Sequence, residues 1–99
     1  MLDKNFRLYP KAIEDLESIY LYGCEKFGVK KAADYIVEIE KGFQYVANYP
    51  DMSRNCDHIR KKLKSWPVGS HVIFFKPAKY GIVIIRVLHQ SMDYPRHFT

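Results

Sequence analysis

Gly69-Ser70-His71-Val72-Ile73-Phe74-Phe75 and Gly81-Ile82-Val83-Ile84-Ile85-Arg86-Val87-Leu88-His89 decide the fold. Both runs are dense in β-branched and aromatic side chains, which pack well on a pleated surface, and both open on a glycine. The polar segment Lys76 to Tyr80 joins them, so they read as a buried β-hairpin. Arg86 interrupts the second run, and a histidine stands where each run begins or ends. Polar groups on so apolar a scaffold need partners, inside the chain or outside it.

Upstream, Phe6-Arg7-Leu8-Tyr9 alternates as a short first strand does. Pro10 then opens a helix, because a first turn has no use for the N–H that proline lacks. Glu14 and Asp15 sit early in it, favourably placed against the helix dipole. Ile13, Leu16, Ile19/Tyr20, Gly23 and Phe27 recur in three- and four-residue steps as one apolar stripe, and Gly28 is a natural cap. A second helix starts at Val29, with Ala32, Ile36, Ile39, Phe43 and Val46 on its apolar seam. It ends near Asn48, since Tyr49 precedes Pro50 and the residue before proline avoids the helical region. With only Gly28 between them, the helices fold back on each other, and Gly23 marks their close approach. Pro50 to Asp57 is loop, and Ile59 to Lys64 reads as a basic strand ending before Trp66-Pro67. The order is β-α-α-β-β-β: an α+β fold, with an antiparallel helical hairpin on one face of a small antiparallel sheet.

The 99 residues suit one domain, spanning 1–99, with a single modest core. A hydrophobic share of 47% excludes disorder along the whole chain. No apolar run reaches the length of a membrane span, and Met1 to Asn5 lacks the core of a signal peptide, so the cytoplasm is expected. Cys24 and Cys56 have neither metal-site spacing nor nearby histidines and read as free thiols. Charge is uneven: residues 1–52 sum to −2 and residues 53–99 to +7. That asymmetry suits an acidic partner for the C-terminal half, or a basic surface with no dedicated partner.

In a regular strand Arg86 shares a face with Ile82, Ile84 and Leu88, while His89 falls with Val83, Ile85 and Val87. Arg86 either forms a salt bridge to Asp93 or Asp57, or presents a rigid guanidinium to a carboxylate or phosphate. His71 and His89 titrate near neutrality and suit general acid–base work, although a histidine at a strand end is more often structural. Arg54, Arg60, Lys61, Lys62 and Lys64 make the densest basic run, too thinly interleaved with aromatics to define a nucleic-acid reader. No Ser/His/Asp order, phosphate loop, paired carboxylates or metal cluster appears, so no cofactor and no metal are expected.

Four stretches carry a resemblance: Asn48-Tyr49-Pro50, Cys56-Asp57-His58-Ile59-Arg60, Ser70-His71-Val72-Ile73-Phe74-Phe75, and Arg86-Val87-Leu88-His89-Gln90-Ser91-Met92-Asp93 followed by Arg96-His97. Over nearly its full length the chain resembles ParE toxins, within the RelE/ParE superfamily of bacterial toxin–antitoxin systems. It departs from them at Met52-Ser53, where glycine is common, and in the long segment Leu63 to Val68. The resemblance implies two antiparallel helices on a small sheet, and a ParD antitoxin whose C-terminal segment wraps the toxin. It also implies that the free toxin inhibits DNA gyrase and is not a catalyst. Residues expected to meet antitoxin or target are Arg60, Lys62, His71, Arg86, His89, Met92, Asp93, Arg96 and Phe98, with Asp93 to Phe98 an exposed, mobile tail. The sister RelE branch, ribosome-dependent mRNA endonucleases, is the alternative. Its members carry an arginine where this chain has His71, and catalysis here would fall to His71, Arg86 and His89 beside Lys61, Lys62 and Lys64.

Overall fold

The computed structural model describes residues 5–98; residues 1–4, on which the leader-peptide expectation partly rests, lie outside that range. The elements are β1 (Asn5–Leu8), α1 (Pro10–Phe27), α2 (Val29–Asn48), β2 (Arg54–Asn55), β3 (Lys64–Val68), β4 (His71–Ala78) and β5 (Gly81–His89). Short 3₁₀ turns follow α2 at Pro50–Met52 and close the chain at Tyr94–Phe98. The five strands are ordered β1-β5-β4-β3-β2. The α+β reading holds, but the sheet is mixed: β1 runs parallel to β5, pairing Phe6 with Ile82 and Leu8 with Ile84. A parallel neighbour needs a long crossover, which the helical hairpin begins. Gly81 makes the contact possible, because its φ is +141° and any side chain there would strike the Asn5 carbonyl.

The helices cover one face. Gly28 turns the chain at φ 91°, and a side chain at Gly23 would begin 3.1 Å from the Ala32 Cβ, as a close crossing requires. Along α2 the expected seam is nearly all buried: Ile39, Phe43 and Val46 pack with Ile73, Phe75, Ile82 and Ile84. The stripe on α1 is rotated from its expected phase. Ala12 is fully buried and Leu16 and Ile19 pack on the core, whereas Ile13 and Phe27 are 47% and 65% exposed. Glu14 and Asp15 lie beyond the first turn of α1, which holds no acid; the helix dipole is not what fixes them.

The face away from the helices is covered too. Leu63, Phe74, Val83, Ile85, Leu88 and Phe98 form a second core with Cys56. No disulfide joins Cys56 to Cys24, and the Cys56 thiol lies 3.2 Å from the Ser65 hydroxyl. Two corrections follow. Residues 59–62 are not strand but turns, built on Asp57, whose carboxylate accepts the Lys62 backbone N–H at 2.7 Å. That bond, then one to the Asn55 side chain, holds the Asp57 carboxyl below the usual carboxylate range, and Lys62 sits at φ 67°. The strand comes later and includes Trp66-Pro67; Pro67 is tolerated because β2 pairs only with Lys64 and Ser65 and leaves it on an edge. The second correction concerns the tail: Phe98 is 8% exposed and its ring meets Phe74 edge-on at 5.1 Å. The segment Asp93 to Phe98 is exposed as expected at Asp93, Pro95, Arg96 and His97, but it is pinned to the sheet through Tyr94 and Phe98, because an aromatic side chain near its end has an apolar face to cover.

β5 carries one irregularity that matters for the site. Phe74 pairs with Arg86 but Phe75 with Ile84, so Ile85 has no partner across the ladder. Such a bulge advances the alternation by one residue. Val87 therefore joins Ile82 and Ile84 under the helices, and Leu88 joins Val83 and Ile85 beneath the sheet, which reverses the faces that regular alternation assigns.

Candidate functional site

Two depressions gather most of the candidate residues. The larger, about 690 Å³, runs between the helical hairpin and the far ends of β4 and β5. His71 and His89 form its polar floor. They are directly opposite each other in the ladder, and their rings meet edge-on with centroids 5.2 Å apart. From α2 the Tyr35 hydroxyl reaches His71 Nδ1 at 2.6 Å, and it accepts the Ser70 backbone N–H at 3.2 Å. The backbone N–H of Ser91 donates to His89 Nδ1 at 3.1 Å and the Ser91 hydroxyl lies 2.7 Å from it. An Nδ1 that accepts a backbone proton leaves the neutral ring's own proton on Nε2. Tyr22, Phe27 and Met92 rim the groove and are 58%, 65% and 44% exposed.

Burial, and next the neighbouring His89, push His71 below its ordinary 6.5; Asp15 acts in the opposite direction. The unfolded chain therefore takes up a proton near pH 6.5 that folded His71 takes up only at lower pH. Stability from this residue is complete above that point and falls as the pH drops through it. Melting temperatures measured from about pH 7.5 to about pH 5.5 are expected to fall at the acid end, and His71→Gln to flatten that part of the profile.

The second depression, about 310 Å³, contains Arg60, Arg86, His97 and Phe98 with Lys11 of α1. Arg86 does not pair with Asp93 or Asp57. Its Nε and Nη2 donate to the two oxygens of Asp15 on α1, both at 2.8 Å, a bidentate clasp in which the side chains are only 14% and 13% exposed. The same carboxylate accepts the Val87 backbone N–H at 2.9 Å. It thus caps the stretch of β5 that β1, ending at Ile84's partner, does not reach. These hydrogen bonds hold the Arg86 guanidinium above even the usual arginine range. Arg60 Nη2 donates to the Phe98 carbonyl at 2.7 Å, and its guanidinium lies over the Phe98 ring. Two of the expected contact cations thereby fasten the chain's own parts.

His71, His89 and Met92 are brought together in the first groove, and Arg60, Arg86 and Phe98 in the second. Lys62, Asp93 and Arg96 are exposed and line neither. Sequence reasoning missed Tyr35, Asp15 and Ser91. For Tyr35 a signal existed: an aromatic with a polar tip beside the apolar seam of α2, next to Ile36. Among the described residues no group of three or more histidines, cysteines or acids could hold a metal ion, and no helix is long and apolar enough to cross a membrane.

A helical hairpin over a five-stranded mixed sheet is also the fold of a chain from the "Chromosomal ParDE TA system from P. aeruginosa". The TM-score is 0.75 at 16% identity, covering 87% of this chain and 95% of that one. The family model described as ParE toxin of type II toxin–antitoxin system, parDE, matches residues 6–94. Toxin ParE1 of Caulobacter vibrioides is 36% identical, over 95% of this chain and 97% of its own length. Toxin ParE1 of Mycobacterium tuberculosis is 32% identical, over 97% and 99%. The chain belongs to the ParE toxin family of type II toxin–antitoxin systems.

Proposed function

We propose that this protein inhibits DNA gyrase in the cytoplasm, blocks replication, and is held silent by a ParD-type antitoxin. The observation that carries the reading is the family match over residues 6–94, with toxins among the relatives at near full length. Side-chain placement supports inhibition over catalysis. Cutting RNA at a ribose needs a base and a cation facing one phosphate. Of the three residues a catalytic reading would use, the histidine pair lines one depression, beside Lys31, and Arg86 another, where Asp15 already engages it.

The test is a gyrase supercoiling assay with purified protein, read also for trapped cleaved plasmid. Supercoiling is expected to stop and linear plasmid to accumulate. Untouched gyrase together with cleavage of ribosome-bound mRNA would place the chain with the endonuclease branch. Induced expression without the antitoxin is expected to arrest growth.

A further inference from the structure

The smaller depression, about 310 Å³, collects basic side chains from four separate parts of the chain. Lys11 comes from the start of α1, Arg60 from the turns at residues 59–62, Arg86 from β5 and His97 from the C-terminal 3₁₀ turn. Its lining contains no Asp or Glu. Asp15 answers Arg86, on which the exposed Glu14 also acts, but among the described residues no acid pairs with Lys11 or Arg60. The end of the helix supplies little by itself: Pro10 has no N–H, and the Tyr9 carbonyl accepts those of Ala12 and Ile13 at 2.9 and 3.2 Å. The donors on offer are therefore side chains.

Two of them are held in place before any ligand arrives. Asp15 takes Nε and Nη2 of Arg86, and the remaining Nη1 has only a long contact, 3.5 Å, to the His97 carbonyl. Arg60 gives Nη2 to the Phe98 carbonyl and lies over the Phe98 ring, which leaves its Nε and Nη1. A guanidinium already fixed by its own chain loses little side-chain freedom on binding, and its fork matches the oxygens of a phosphate. The volume is at the low end for a ligand site, room for a phosphate and its flanking sugars and not for a helix. Tyr9, 47% exposed, adds an aromatic face on which a sugar or base can lie.

We propose that this depression is a phosphate site that takes one backbone phosphodiester of DNA, with Lys11, Arg60 and Arg86 as its donors. The choice of DNA over other phosphates rests on the gyrase reading above. Lys61 and Lys62, exposed and next to Arg60 in the chain, extend the positive surface toward neighbouring phosphates. DNA has no 2′-hydroxyl to attack its own phosphate, so the strand is held without being cut.

Fluorescence anisotropy decides it, with a labelled DNA duplex of about 20 base pairs titrated with the full chain at several salt concentrations. Binding is expected, with an affinity that falls steeply as salt rises. Lys11→Gln, at an exposed position where the fold is not at stake, is expected to weaken binding about fivefold on every duplex sequence and to lower the salt slope by about 1. Lys11→Arg is expected to keep both, and Lys30→Gln, on an exposed lysine at the far end of the helical hairpin, to change neither. A salt slope that ignores Lys11→Gln, an equal loss from Lys30→Gln, or no duplex binding overturns the proposal. None of these touches gyrase inhibition, which the supercoiling assay reads separately; a failure there with Lys11-dependent duplex binding intact would spare the phosphate site. Tighter capture of single-stranded RNA of the same sequence would assign the depression to RNA, and a Lys11→Gln loss confined to antitoxin binding would assign it to an antitoxin carboxylate. Either overturns the proposal.

Discussion

Phe74→Ala is expected to lower the unfolding free energy by about 4 kcal/mol and the melting temperature by roughly 20 °C. Phe74 is 1% exposed and lies in the second core with Leu63, Val83, Ile85, Leu88 and Phe98. Its ring receives Tyr94 at 5.0 Å and Phe98 at 5.1 Å, both edge-on, so its loss removes the surface on which the C-terminal turn rests. The deficit is therefore of two kinds: the transfer and cavity terms of a buried phenyl, and the release of a segment that loses both aromatic contacts. Chemical denaturation measures the first. Limited proteolysis measures the second, with cleavage within residues 93–98 expected in the variant before global unfolding. A loss under about 1 kcal/mol would mean that the tail is held by Arg60 alone.

Asp15→Ala is expected to cost about 3 kcal/mol. The carboxylate has three tasks at once: it meets Arg86 Nε, Arg86 Nη2 and the Val87 backbone N–H. Removal leaves a largely buried guanidinium without its counterion and a strand N–H without an acceptor, each a recognised source of large destabilisation. Arg86→Met paired with Asp15→Ala should cost clearly less than the two single changes added, because the double variant strands no charge. Additive losses in urea denaturation would refute the coupling. The outcome also bears on function, since a structural role for Arg86 predicts that Arg86 variants lose toxicity and stability together.

Much of the architecture could be read from local signals. Pro10, Gly28 and Tyr49-Pro50 set the helix limits within a residue, because caps and proline act on the backbone next to them. The seam of α2 was legible because its partner is a flat apolar sheet. What was not legible depended on distant contacts. No pattern near Arg86 names Asp15, which lies 71 residues away in sequence. The bulge at Ile85 has no composition signature, so a perfectly alternating run assigned Val87 and Leu88 to the wrong faces. Trp66-Pro67 looked like the end of a strand because the breaker rule assumes pairing on both sides, and β2 is only two residues long. Of the candidate site, His71 and His89 stood out as ionisable groups on apolar strands. Tyr35, which fixes one of them, did not, because the bond spans 36 positions and two layers.

The parallel ladder between β1 and β5 has a consequence for the order of events during synthesis. Asn5 to Leu8 pair only with residues 81 to 84, which are made after both helices and the other three strands. The clasp at Asp15 waits even longer, for Arg86 and Val87. A partly translated chain can thus form its helical hairpin, whose contacts are local, but not its sheet, whose closing contacts are among the most distant available to it. A nascent fragment that stops short of β5 therefore lacks the closed sheet and the two depressions built on its strands.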